Sequence, residues 1–338
     1  MNIIDLIKTV LCILIVGSHC IPLFTNVEAN YYYGQWFFRF SVPFFFIASG
    51  YFFAKMDAKK KKSYIKRIFL IYCISSVIYL PFYLSLFVKG KFLSIGKNLI
   101  LGYHHLWYLS ALAIGLFILY IVDNSKFTKK IETCLVKNNV WGISIIIVIL
   151  LSCGILLNVY YRLFDIPILN KIVDVSKFFG GGRNSLFFAL PMLLIGRLVY
   201  LKENILIHQK YYVYIVLFLF LFSCGFAEAY WLKKVLGSDI SFGVSLFGWS
   251  PAVPLFIICL STKSGLSAEH SRLLRKIADV VYIIHVYAIE LVRNQWHLHY
   301  MKCFIITLLI SFAFSFVFVV FLANWKRWKH NTKNCANS

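Results

Sequence analysis

Long apolar stretches alternate with short polar ones from one end of the chain to the other. A bilayer core about 30 Å thick takes roughly 20 mostly apolar residues per helix. Ten stretches approach that length: 3–23, 35–54, 67–88, 104–122, 140–160, 185–201, 211–232, 242–261, 277–296 and 303–323. The pattern predicts an all-α fold, a polytopic transmembrane helix bundle of about ten spans. The sixth stretch is short, and the ninth carries His285, Glu290 and Arg293. The first has no basic leading region and no small-residue cleavage site, so it reads as a span and not as a cleaved signal peptide.

Composition agrees with the pattern. Of 338 residues, 60% are hydrophobic and 14% charged, where soluble domains carry roughly 25% charged residues. A water-soluble enzyme, a nucleic-acid binder and a disordered chain are all excluded. The net charge of +22 then reads as a bilayer signature, because basic residues gather in cytoplasmic loops and meet lipid head groups there. Lys55, Lys59 to Lys62 and Lys66 follow the second stretch, Lys126, Lys129, Lys130 and Lys137 the fourth, and Lys263, Arg272, Arg275 and Lys276 the eighth. With the tail they put about twice as many basic residues on one side as on the other. This bias predicts cytoplasmic N- and C-termini and an even number of spans.

Residues 1–325 read as one transmembrane domain and 326–338 as a basic cytoplasmic tail. The nine cysteines form no C-x-x-C pair, which points away from a disulfide framework or a zinc site, and no metal is expected. The longest outer loop, 161–184, ends in Gly180-Gly181-Gly182-Arg183, a lid-like or binding element. Abundant Lys, Asn, Ile and Phe suit an AT-rich bacterial genome, and the expected location is a bacterial plasma membrane.

Charged groups inside spans cost several kcal/mol unless they face a cavity or a partner, so each is a functional candidate. The first span holds Asp5, Lys8 and His19. Eleven residues at 100° each return to within about 20° of the starting face, so Lys8 and His19 share a stripe roughly 16 Å long. Asp5 lies three residues from Lys8 and is expected to pair with it. Interfacial anchoring explains Asp5 and Lys8 equally well. His19 carries more weight, because imidazole takes a proton from a hydroxyl near neutral pH.

In the second span Arg39 precedes Pro43, and Ser49-Gly50 permits close backbone approach. The basic run reaching Lys66 and Arg67 is topogenic charge, or a cytoplasmic anion site for the phosphates of a nucleotide-bearing donor. His105, Trp107 and Tyr108 open the fourth span, Arg183-Asn184 opens the sixth, Glu228 lies in the seventh, and Tyr282 and His285 share a face in the ninth. Together these are too many polar groups for a lipid-filled bundle, and they predict a polar cavity.

These residues give the chain a resemblance to the acyltransferase-3 family of integral membrane proteins. Asp5-Leu6-Ile7-Lys8, then ten residues and His19, is similar to the family's opening D-x-x-R and spaced His. Pro43-Phe44-Phe45-Phe46-Ile47-Ala48-Ser49-Gly50-Tyr51 resembles its second-helix motif, His105 to Leu109 its H-L-W-Y-L element, and Tyr282 to His285 its Y-x-x-H element. Lys8 stands where the family usually has Arg, and Tyr64-Ile65-Lys66-Arg67 keeps only the last member of an R-x-x-R. The strings at 183–188 and 105–109 look like the membrane domain of VanT-type serine racemases.

The resemblance implies an O-acyltransferase, and an acetyl-CoA or other acyl-CoA donor arriving from the cytoplasm. The acceptor it implies is a hydroxyl of a cell-envelope carbohydrate or lipid-linked glycan. On that reading Lys8, Lys66 and Arg67 attract the donor's phosphates, with Asp5 holding Lys8. His19 is the general base or transient acyl carrier, and Arg39 and Ser49 face the thioester oxygen beside Gly50 and Tyr51. His105, Trp107, Tyr108, Arg183, Asn184, Glu228, Tyr282 and His285 line the acceptor path. The alternative is a membrane carrier for D-serine or another small polar solute.

Overall fold

Helix is what this sequence must form, because an apolar segment in hydrocarbon has to hydrogen-bond its backbone internally. Side chains set where several helices begin. Asn26 accepts from the Ala29 N–H, Asp57 from Lys60, and Ser267 from His270. The structure, a computed structural model, describes residues 3–83, 90–124, 140–164, 166–178, 180–237, 243–262, 265 and 267–336, without the side chains of 83, 178 and 326–336. Lys126, Lys129, Lys130, Lys137 and Lys263 lie outside the described residues, as do the side chains of the basic tail.

In chain order the principal helices are α1 (Ile4–His19), α2 (Val27–Tyr32), α3 (Ser41–Ala54), α4 (Ala58–Ile78), α5 (Phe92–Leu101), α6 (Trp107–Asn124) and α7 (Val140–Asn158). They continue with α8 (Pro167–Phe178), α9 (Leu190–Leu201), α10 (Tyr211–Leu236), α11 (Ala252–Ser261), α12 (Ala268–Glu290) and α13 (Tyr300–Ala336). π-helical turns at Tyr33–Phe37 and Ser185–Ala189 lead toward α3 and into α9. No strand occurs among the described residues.

Every stretch expected as a span contains helix. Among the described residues, five helical segments are long and apolar enough to cross a membrane: Val27–Ala54, His104–Asn124, Val140–Asn158, Tyr211–Leu236 and Tyr300–Trp325. Three boundaries differ from expectation. Asp57 caps α4 nine residues before the apolar run begins, so the basic run is helical and not loop. Residues 243–251 are turns, which leaves α11 only ten residues. Residues 161–184 contain α8 where a loop was expected.

The chain divides into two compact units. A terminal unit comprises Met1–Ser41 with Cys259–Ser338, and a central unit comprises Val42–Ile258. In the terminal unit, α1 packs on α12 and α13 through Cys12 and Val16 of α1, Cys20 just after it, Ile277, Ala278 and Val281 of α12, and Val319 of α13. In the central unit, α6 packs on α4 and α9, and α7 packs on α9. α3 and α9 meet backbone to backbone: a Cβ on Gly50 would collide with the Leu193 carbonyl, and one on Gly196 with that of Ile47. Outward-facing Val216, Leu219 and Phe220 on α10, and Leu309, Phe316 and Val317 on α13, are exposed. Such apolar surface suits hydrocarbon and not water.

Candidate functional site

In the terminal unit, polar chemistry sits at both ends of α1. At the first end Asp5 is buried against α12. Arg275 donates to it twice, Nε to Oδ1 at 3.1 Å and Nη2 to Oδ2 at 2.8 Å, and the Ser271 hydroxyl donates to Oδ2 at 2.6 Å. Asp5 was expected to hold Lys8, but these hydrogen bonds go to Arg275 and Ser271. Lys8 still lies in the field of Asp5, together with that of Asp279. A two-donor guanidinium fork satisfies a carboxylate better than an ammonium does, which is why Arg275 takes it.

Roughly 21 Å further along the helix, His19 closes α1 with its ring centroid 5.1 Å from that of His285. His285 is fully buried, and its Nδ1 lies 2.8 Å from the Tyr282 carbonyl and 3.2 Å from that of Val281. Carbonyl oxygens only accept, so Nδ1 carries a proton toward them. His19 is only half-buried. The reachable imidazole and the sequestered one are therefore different residues. The Tyr282 ring lies tilted 6.1 Å from that of His285, and Arg293 donates to the Cys20 and Ile21 carbonyls just after His19 closes α1. Arg39 donates to Gln35 at 2.6 Å and lies over the Phe38 ring.

Several polar groups of the central unit bind one another. The Tyr51 hydroxyl donates to Glu203 at 2.6 Å, and Lys55 closes the cluster with contacts to both. Gly50 serves the α3–α9 crossing, with Ser49 half-buried beside it. Lys66 and Arg67 are exposed on α4. Another member of that basic run, Lys61, pairs with Asp123 at 2.6 Å, and Arg197 takes the second oxygen at 2.8 Å. This triad ties together α4, α6 and α9.

Glu228 on α10 accepts from the Tyr160 hydroxyl and the Leu246 N–H, both at 2.6 Å, and from the Phe247 N–H at 2.8 Å. Asn158 holds the same turn segment through the N–H groups of Gly243 and Val244. Asn184 caps the turn at Ser185 by accepting from Leu186 and Phe187. His105 is buried edge-on to Tyr79, and Tyr108 packs against Phe46. Arg183 lies over the Trp107 ring at 4.9 Å.

Of the residues singled out from sequence, the fold brings together His19, His285 and Tyr282 in one unit, and Arg183 with Trp107 in the other. It engages Asn184, Glu228, Tyr51 and Gly50 in holding the scaffold. Sequence reasoning read Arg275 and Lys61 only as loop charge, and it missed Ser271 and Asp279 around Asp5 and Lys8 and Asp123 as the acid joining Lys61 to Arg197. The available signal was scarcity: with 13 acidic residues against 35 basic ones, each carboxylate next to a span is a rare partner for a cation. No group of three His, Cys, Asp or Glu able to hold a metal ion occurs among the described residues.

Comparison with known proteins gives two kinds of match. Two proteins of Enterococcus faecalis described as amino-acid racemases are 25% identical over 86% of this chain and 32% identical over 57% of it. A serine/alanine racemase of Enterococcus gallinarum is 30% identical over 33% of it. The aligned regions make up 41%, 27% and 18% of those relatives, so the chain spans less than half the length of the racemases it matches. No solved structure matches. A family model described as an acyltransferase domain matches residues 1–325. By that match over nearly its whole length, the chain belongs to the acyltransferase-3 family of membrane proteins.

Proposed function

We propose that this protein is a plasma-membrane O-acyltransferase with about ten spans and both termini in the cytoplasm. It takes an acyl group, acetyl in the simplest case, from acyl-CoA and delivers it to a hydroxyl of a cell-envelope carbohydrate. The observation that carries this reading is the imidazole pair of His19 and His285, 5.1 Å apart, in a chain of an acyltransferase family.

His19 is half-buried and reachable, so it acts as the general base. It removes the acceptor hydroxyl's proton as that oxygen attacks the thioester carbonyl. Collapse of the tetrahedral adduct breaks the carbon–sulfur bond, and the proton leaves with the CoA sulfur. His285, fully buried with its Nδ1 proton held by backbone carbonyls, positions His19 and does not itself touch the acceptor. Lys8, in the fields of Asp5 and Asp279, is the terminal unit's cation that we assign to the donor's phosphates.

The test incubates membranes containing the protein with acyl-labelled acetyl-CoA and follows label into the envelope glycan fraction. Label that appears with the native chain and disappears with His19→Ala supports the reading. Equal labelling by both removes His19 from the chemistry.

The racemase relatives favour a second reading, a carrier for serine or a similar small solute. Uptake of labelled serine by cells expressing the chain, unchanged by His19→Ala, distinguishes it.

A further inference from the structure

Arg183 is the one sequence-flagged cation of the central unit that is positioned tightly yet given no acid. The guanidinium lies over the Trp107 ring at 4.9 Å. Its stem crosses Gly243 so closely that a Cβ there would stand 3.0 Å from Arg183 Cδ and 3.3 Å from Cβ and Nε. Gly243 cannot yield easily, because Asn158 Oδ1 accepts its N–H at 2.7 Å and the next N–H at 2.9 Å. The turn that delivers Arg183 is also fixed. Gly182 presses against the Gly154 backbone, and the Asn184 amide donates to the Gly181 carbonyl at 2.6 Å.

The guanidinium is thus braced by an aromatic face, a clamped glycine and an anchored turn. Among the described residues it makes no hydrogen bond or ion pair, and its side chain remains open to solvent. Other arginines of the chain differ: Arg275 has Asp5 and Arg197 has Asp123.

A planar fork fixed in orientation matches an oxyanion with two acceptors in one plane. Phosphate sites of high charge gather several cations or a cluster of backbone N–H groups. Here one guanidinium is offered, which fits a single negative charge. Trp107 is itself engaged, by the guanidinium over its ring and by Phe46 and Phe188 beside it, so the fork sets the ligand's charge and the acyltransfer reading its hydroxyl.

We propose that Arg183, stacked on Trp107 and seated on Gly243, is a binding site for the carboxylate of a hydroxylated solute, of which a uronate sugar is the type. The solute's role as acyl acceptor rests on the acyltransfer reading, whereas its binding does not.

The experiment measures thermal unfolding of the purified full-length chain in detergent while glucuronate, glucose or glucose 1-phosphate is added at constant ionic strength. A ligand that binds only the folded state raises the midpoint with concentration, which gives an apparent Kd. Glucuronate is expected to stabilise the native chain and glucose is not. Arg183→Gln weakens glucuronate about tenfold or more, and Arg183→Lys, which keeps charge without the fork, falls between. Gly243→Ala displaces the fork without changing any charge and also weakens glucuronate. If Arg183→Gln does not fold, the Lys and Gly243 variants carry the test. Asp239 lies outside the described residues, so Asp239→Asn serves as a control expected to leave glucuronate binding unchanged.

Equal stabilisation by glucose and glucuronate overturns the proposal, as does stronger stabilisation by glucose 1-phosphate. So does unchanged glucuronate binding in folded Arg183→Gln, or a tenfold gain in Asp239→Asn, which would make the protein's own carboxylate the occupant. Because binding is read without acyl-CoA, failure of the labelling assay with intact glucuronate binding counts against the acyltransferase reading alone.

Discussion

Glu228 in the central unit and His19 in the terminal unit are both polar groups in apolar helices, and their surroundings differ in kind. Glu228 meets three donors, a tyrosine hydroxyl and two backbone N–H groups, that fix a turn segment against α10. Its hydrogen-bonding capacity is directed at the fold. His19 ends α1 half-buried, facing a second imidazole whose own proton is committed to backbone carbonyls. A protonatable ring next to a sequestered one builds little scaffold and suits proton transfer. Polarity inside a span is thus an ambiguous signal: the same rule flags a clamp and a catalyst, and only the partners separate them.

Exchanging the two residues' measurements breaks this contrast most sharply. His19→Ala is expected to lower acyl transfer by about 10²–10⁴-fold, the usual worth of a general base, with the thermal midpoint nearly unchanged. Glu228→Ala leaves three donors without their acceptor and is expected to cost about 2–4 kcal/mol of stability. A midpoint collapse for His19→Ala, or a stable Glu228→Ala lacking only activity, would reverse the two assignments. Glu228→Gln sharpens the point, because it keeps one acceptor oxygen and should lose less.

A smaller effect tests whether the second-helix motif is scaffold or site. Adding a methyl to Gly50 drives it into the Leu193 carbonyl, an overpacking expected to cost about 1–3 kcal/mol. Gly50→Ala should therefore lower the unfolding midpoint in detergent, with activity falling only as the folded fraction falls. Gly196→Ala, across the same crossing, should behave alike. Loss of activity at full stability in Gly50→Ala would put this glycine at the donor.

The helical content was legible because runs of apolar residues near bilayer length have no other backbone solution in lipid. The stretch at 242–261 shows the limit. Its residues are apolar enough for a span, yet the segment at 243–247 is held in turns by Asn158 and Glu228, partners 85 and 18 positions away that no local pattern contains. The same holds for Asp5, whose near neighbour Lys8 was visible and whose hydrogen-bond donor Arg275 lies 270 residues on. His19 and His285 could each be flagged as intramembrane imidazoles, but their pairing across 266 positions was set by tertiary packing of α1 on α12. Asn184 shows the opposite case: an Asn opening a helical stretch is a recognised cap, and it is one here. Reading it only as a substrate contact overlooked that local signal.

The smallest effect belongs to the cap of α4, which separates electrostatics of the exposed surface from that of the buried clusters. Asp57 accepts the Lys60 N–H at 2.8 Å, and that bond, helped by the Lys60 side chain, holds its carboxyl below the ordinary aspartate value of 3.8. A depressed folded-state pKa stabilises the fold at pH values above the unfolded carboxylate's pKa, and that contribution fades as pH falls through the folded value. Asp57→Asn keeps a side-chain acceptor for the Lys60 N–H but cannot titrate. Lowering the pH from 7 to 3 should therefore destabilise the native chain slightly more than Asp57→Asn, measured as the difference in thermal midpoint between the two. Because Asp57 is exposed, added salt should shrink this difference further. If the variant is instead the more acid-sensitive of the two, the carboxylate of Asp57 is not what holds the start of α4.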